Sequence, residues 1–135
     1  EEKDILTFGP VCILPEYQRA GYGKKIIEHS FDKAAALGFD VIVIFGNPGN
    51  YVSRGFKSCK RFNVTMADGS FPAAMMVKEL VPGRLDGRHF VYSDSPVMAI
   101  DEAEAEAYDK TLEEMEKKVT PSQEEFFIIS NSRLQ

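Results

Sequence analysis

Tryptophan is missing from this chain of 135 residues, and cysteine and histidine occur only twice each. Cys12 and Cys59 lie far apart with no C-x-x-C spacing, and only His29 and His89 are at hand to join them. That is too little for a structural zinc site, which gathers its ligands at short, paired spacings, so no metal is expected. Free thiols without paired spacing fit a reducing compartment, and the expected location is the cytoplasm. Long apolar runs are lacking as well. A run such as VIVIF at 41–45 is far short of the ~20 residues that cross a bilayer as a helix, so no membrane partner is expected. Positive charge is scarce: 16 Lys and Arg stand against 21 Asp and Glu, a formal charge of −5, with a pI near 5.1. Nucleic-acid surfaces normally show a basic stripe, so that class of partner is excluded. A polyphosphate is not excluded, because a helix N-terminus and a few local cations suffice to bind one.

The chain is 44% hydrophobic and 27% charged, which supports a packed core. Its length suits one domain, or one domain with an appendage. It opens on Glu-Glu-Lys-Asp directly before a strand pattern, with neither an initiator Met nor a signal-peptide pattern, and it reads as a fragment. Residues 5–14 (ILTFGPVCIL) read as a buried strand interrupted at Gly9-Pro10, where a proline cannot donate to a ladder. A helix is expected from about Gly21 to Leu37, with Ile26, Ile27, Phe31 and Ala34 at helical spacing and Gly38 as its stop. Residues 40–45 form a β-branched run too short for a helix, hence a central strand and a βαβ unit with a right-handed crossover.

Beyond it, GNPGN at 46–50 reads as loop, followed by one helical turn at 51–54. Residues 56–66 and 73–80 are expected to pair as an antiparallel hairpin. Pro82-Gly83 closes that region, giving a core at 1–83 and a C-terminal extension at 84–135. In the extension, an acidic helix capped by Asp101 is expected to run through Lys118 on the surface. A second start follows at Thr120-Pro121-Ser122-Gln123, with Gln123 closing a capping box. The apolar quartet at 126–129 is expected to dock on the core, since leaving it exposed is costly.

The segment that carries chemistry is VCILPEYQRAGYGKK at 11–25. Gly21 and Gly23 stand between a strand and an amphipathic helix, where missing β-carbons let an anion approach the backbone. Unpaired N–H groups and the helix dipole attract it, and Arg19, Lys24 and Lys25 add charge. The pattern is neither a P-loop nor a dinucleotide fingerprint, because no G-K-[ST] follows and the G-x-G-x-x-G spacing is absent.

Gln18-Arg19-Ala20-Gly21-Tyr22-Gly23 resembles the Q/R-x-x-G-x-G/A motif of the GNAT superfamily of acyl-coenzyme A N-acyltransferases. The order around it is similar too: a strand ending V-x-I-x-P, a helix, an apolar strand, then Tyr51 four residues ahead of Gly55-Phe56. The resemblance covers residues 5 to about 83 and implies the C-terminal half of that fold. The expected class is α/β, a partial GNAT fold: a mixed sheet with one splayed parallel pair and a central helix, plus a helical C-terminal extension. It implies acetyl transfer from acetyl-coenzyme A to an amine by direct attack. Val11, Cys12 and Ile13 would line the pantetheine arm, and Arg19, Ala20, Gly21, Tyr22, Gly23 and Lys24 would hold the pyrophosphate. Tyr51 would protonate the leaving thiolate.

Two positions depart from the family. Where some members carry a Glu base this chain has Thr7, and where many carry an Asn it has Ile44, so Asn47 or Asn50 would have to substitute. No base is assigned. A non-catalytic acyl-coenzyme A binding module, or a structural interaction domain with an acidic tail, remains open beside the enzyme. Cys12 reads as a small buried hydrophobe, not a nucleophile, and His29 as a solvated residue on the helix's polar side. The first strand lacks the family's preceding elements, so an upstream segment, a second copy or a partner is expected to cover its edge.

Overall fold

The computed structural model describes residues 2–135. Strand β2, Val41–Phe45, lies inside the main sheet, with β1 (Leu6–Thr7) parallel on one side and β6 (Met75–Glu79) antiparallel on the other. Strand β3, Lys57–Ser58, closes the far edge, for an order β1-β2-β6-β3. Helix α1, Tyr22–Ala36, is the crossover between β1 and β2, and Gly38 ends it at φ +90°.

The period-two alternation of β2 divides the core between its faces. Val41 and Val43 share one face with Met75, Val77, Cys59, Val64, Leu85 and Tyr92. Ile42 and Ile44 share the other with Met76, Phe56 and Ala34 of α1, joined by Leu6, Phe31 and Tyr51. The mixed sheet, its parallel pair and the central helix agree with the expected class. Leu85 and Tyr92 belong to the buried core, so residues beyond 83 pack with the sheet.

Several boundaries differ from expectation, each for a local reason. The first strand covers only Leu6–Thr7, not 5–14: pairing to β2 stops before Gly9-Pro10, and the chain reaches a 3-10 turn at Pro15–Tyr17 without rejoining the ladder. Helix α2, Pro48–Tyr51, starts inside the expected loop because the Asn47 side chain accepts the Gly49 N–H at 2.9 Å. A 3-10 turn at Val52–Arg54 follows it.

The expected 56–66 strand is cut after β3 by a 3-10 turn at Cys59–Phe62, where the Ser58 hydroxyl accepts the Lys60 N–H. Asn63 then turns left-handed at φ 55°. This redirects β4 (Val64–Thr65) to pair in parallel with β7 (Phe90–Val91), so only Lys57 and Ser58 keep the hairpin register with β6. Strand β5, Phe71–Pro72, pairs instead with β8, Arg133–Leu134.

In the extension, Asp101 caps α3 (Glu102–Asp109) by accepting the Glu104 N–H at 3.1 Å, but the helix stops nine residues short of Lys118. The Thr111 hydroxyl donates to the Tyr108 carbonyl at 2.6 Å, and residues 101–120 are all exposed, so no packing extends the helix. Helix α4, Pro121–Ser130, starts without the capping box. Thr120 Oγ1 pairs with Ser122 Oγ at 2.8 Å, and Gln123 Nε2 donates to the Lys118 carbonyl. Nor does the quartet dock as expected: Phe126, Phe127 and Ile128 are more than half exposed. Backbone pairing anchors this end instead, through β8 and a 2.8 Å bond from Ala73 N–H to the Ser132 carbonyl.

Phe56, 1% exposed, packs its ring 5.8 Å from Phe31 and 5.9 Å from Tyr51, joining the sheet, α1 and α2. Phe56→Ala is expected to cost about 3–5 kcal/mol, read as a lower denaturant midpoint with an unchanged slope.

Candidate functional site

Helix α1 begins at Gly21, which sits in the left-handed region at φ 86°. Arg19 is left-handed as well, at φ 65°, so the chain coils tightly just ahead of the helix. The first intrahelical bond runs from Lys25 N–H to the Gly21 carbonyl at 3.1 Å, which leaves the N–H groups of Tyr22, Gly23 and Lys24 ahead of the ladder. A β-carbon at Gly21 would meet nothing within 4 Å, and one at Gly23 would meet only Ile13 Cγ1 at 3.9 Å. Internal packing therefore does not demand a glycine at 23, and the backbone there faces open space. The Gln18 side chain donates to the Ile13 carbonyl at 2.8 Å, tying this loop to the segment at 11–13. Arg19, Lys24 and Lys25 are exposed around the helix start.

Residues 8–14 pair with no strand among the described residues. Val11 and Cys12 are exposed and Ile13 is half-buried. Cys12 is therefore not the small buried hydrophobe expected; Cys59 is the buried thiol, and burial pushes its thiol pKa up. His29 lies exposed on α1, as its polar face requires.

Past Thr7, the parting of the first segment from β2 opens a cleft of about 630 Å³. Thr7 to Val11 form one wall, and Ile44, Phe45 and Gly46 the other. Tyr51 lines it from α2, with Asn47 and Asn50 beside it. The Tyr51 ring lies against Gly46, where an added β-carbon would fall 2.8 Å from Cε2. The structure thus brings Tyr51, Thr7, Val11 and both candidate asparagines to one opening. The Arg19-to-Lys24 turn and Cys12 do not line it.

Sequence reasoning missed the cleft's third side. Tyr92, Asp94 and Met98 reach it from the chain after β7, and Ser122, Glu125 and Phe126 from α4. Glu125 Oε2 accepts a long hydrogen bond, 3.4 Å, from Asn47 Nδ2. Nothing local in the sequence marks these residues, because distant pairings place them: β4 with β7 for the first three, and β5 with β8 for those of α4. Burial raises the Tyr92 hydroxyl pKa well above its ordinary value, and a hydrogen bond and the negative charge of Asp94 raise it further. Its ring packs edge-on to Phe45 at 5.3 Å. No group of three metal-ligating side chains occurs among the described residues, and no helix there is long and apolar enough to cross a membrane.

No family model matches the sequence, and no curated protein matches it. The fold is similar to the crystal structure of a GNAT family N-acetyltransferase, YhbS from Escherichia coli, in complex with CoA. The TM-score is 0.58 at 19% identity, over 64% of this chain and 48% of that one. The chain thus spans about half the length of that structure and has a partial GNAT fold.

Tyr92 also makes stability depend on alkaline pH. Its pKa is higher folded than unfolded, so its contribution is complete below the unfolded value, about 10, and is lost as pH rises toward the folded one. Tyr92→Phe removes that titration. Relative to this variant, the wild type is expected to lose stability as pH rises from about 8 to about 11, as read from denaturant melts.

Proposed function

We propose that this chain binds acetyl-coenzyme A and transfers its acetyl group to an amine, which attacks the thioester directly. The observation that carries the reading is the parting of the first segment from β2, with Tyr51 lining the opening. A glycine-rich helix start lies at the far end of the same segment. Backbone N–H groups of Tyr22, Gly23 and Lys24 would take the pyrophosphate, aided by the helix dipole and the local cations. Val11, Cys12 and Ile13, whose N–H groups join no strand ladder, would run beside the pantetheine arm and polarise the thioester carbonyl, stabilising the tetrahedral oxyanion. Tyr51 would return a proton to the departing thiolate.

A non-catalytic acyl-coenzyme A binding module is the second reading. What favours it is that β1 offers Thr7, which cannot accept a proton at neutral pH, and that buried Ile44 lies where an amide would serve. We further propose that a strand from an upstream segment or a second copy covers the free side of β1. One-sided pairing supports this, as does a cavity of about 480 Å³ beside it, lined by Ile5, Val41, Val43, Val64 and Leu85. The cytoplasm remains the proposed location.

The cradle is best tested at Gly23, because any side chain at Gly21 is strained by its backbone. Gly23→Val is expected to weaken acetyl-coenzyme A binding at least tenfold by calorimetry while the fold stays intact, since only Ile13 lies nearby. Wild-type affinity in a folded Gly23→Val variant would overturn the cradle. Tyr51→Phe is expected to lower turnover by roughly 10²-fold with cofactor affinity kept. Unchanged turnover would reduce Tyr51 to packing against Phe56, and no turnover by the wild type over an amine panel would favour the binding module.

A further inference from the structure

An amine acceptor presents a specific problem to this cleft. A lysine-like ammonium, with a pKa near ~10.4, carries no lone pair at neutral pH and must lose a proton before it attacks. The first strand supplies no carboxylate, since Thr7 stands there. The cleft's ionisable side chains among the described residues are Tyr51, Tyr92, Asp94 and Glu125, so only two carboxylates face it. Asp94 is engaged by the Tyr92 hydroxyl, whose proton it holds in place. Among the described residues Glu125 is met by the neutral Asn47 amide at 3.4 Å, a bond weak enough to leave acceptor capacity for an ammonium. Asn47 also caps α2, the helix that carries Tyr51, so this contact joins Glu125 to the element bearing the proposed acid.

We infer that Glu125, from the C-terminal helix α4, receives the acceptor's ammonium and takes its proton. The inference rests on the transfer reading above. In the step, one N–H proton of the ammonium passes to the Glu125 carboxylate, freeing the nitrogen lone pair. The nitrogen then bonds to the thioester carbonyl carbon, and the tetrahedral intermediate collapses with cleavage of the C–S bond. The second nitrogen proton leaves to solvent as Tyr51 protonates the thiolate, and Tyr51 recovers a proton from solvent. Glu125, solvent-exposed, releases its own proton to water. The balance is ammonium plus acyl thioester giving amide, thiol and one proton. Phe45, Tyr92, Met98 and Phe126 form an apolar lining around this carboxylate, which suits a cationic amine on an apolar stem. An amino acid, whose own carboxylate would face Glu125 and Asp94, is disfavoured by like charge.

The test uses the natural full-length protein with acetyl-coenzyme A and a panel of phenethylamine, spermidine and a lysine peptide, with glycine as the carboxylate-bearing control. Glu125→Gln is expected to lower kcat/KM for the best acceptor by about 10²-fold at neutral pH, with acetyl-coenzyme A affinity unchanged. The deficit should shrink as pH approaches the acceptor's own pKa, where the amine arrives already deprotonated. Glu125→Asp should recover part of the rate. A merely structural role would give a deficit independent of pH. That result, or wild-type kinetics in Glu125→Gln, overturns the inference and leaves the transfer reading standing. A wild-type protein that binds acetyl-coenzyme A but acetylates no amine overturns both.

Discussion

The fold depends on a backbone hydrogen-bond ladder that stops early. Leu6 and Thr7 pair with Ile42 and Val43, and Gly9-Pro10 follows before the ladder can resume, with a proline that has no N–H to donate. The N–H groups just beyond lack a strand partner, and so do those at the start of α1, where the first turn of any helix is unsatisfied. Backbone polar groups must find partners somewhere, in water or in a ligand. Donors outside any ladder at residues 11–13, and again at 22–24, give the chain a surface suited to a long molecule rich in acceptors. Coenzyme A has that character, with carbonyls along its arm and phosphates at its end.

Rigidity around this open stretch comes from β2. Flanked by β1 and β6 and buried on both faces from Val41 to Ile44, it fixes Phe45 and Gly46 at the cleft wall. Gly46 also gives Tyr51 its place: the ring rests where a side chain at 46 would be, and Phe56 holds its other side edge-on. A phenol packed between a strand end and a core ring has little rotational freedom, which is what positioned proton transfer requires. The same contacts serve core packing, so a large stability cost at Phe56 and the fixed position of the Tyr51 ring are parts of one arrangement.

Much of this was legible in the sequence, and the reasons are local. The β-branched run at 41–45, the helical spacing of Ile27, Phe31 and Ala34, and the glycines at 21 and 38 each signal their own structure within a few residues. Less legible were features set by competition between near and distant partners. The 56–66 strand has the right composition, yet Ser58 capping Lys60 and the left-handed Asn63 break it and send Val64–Thr65 to Phe90–Val91. The acidic segment has a cap and a favourable charge order. Without a partner surface, those local terms sustain only eight residues of helix. The glycine-led start of α1 was therefore readable, whereas the third side of the cleft was not.

That third side is held by modest forces, which bears on how the cleft could work. Helix α4 buries little, with Phe126, Phe127 and Ile128 more than half exposed. Its attachments include the two-residue β8 pairing, the Ala73–Ser132 bond, the long Asn47–Glu125 bond and an exposed ion pair of Arg133 with Asp68 at 3.5 Å. An exposed pair of this kind contributes about 0–1 kcal/mol. Local opening of such an element is expected to cost less than unfolding the sheet, whose β2 is buried on both faces. The base proposed on α4 thus stands on the thinly anchored side of the cleft, whereas the acid proposed at Tyr51 stands beside the rigid β2.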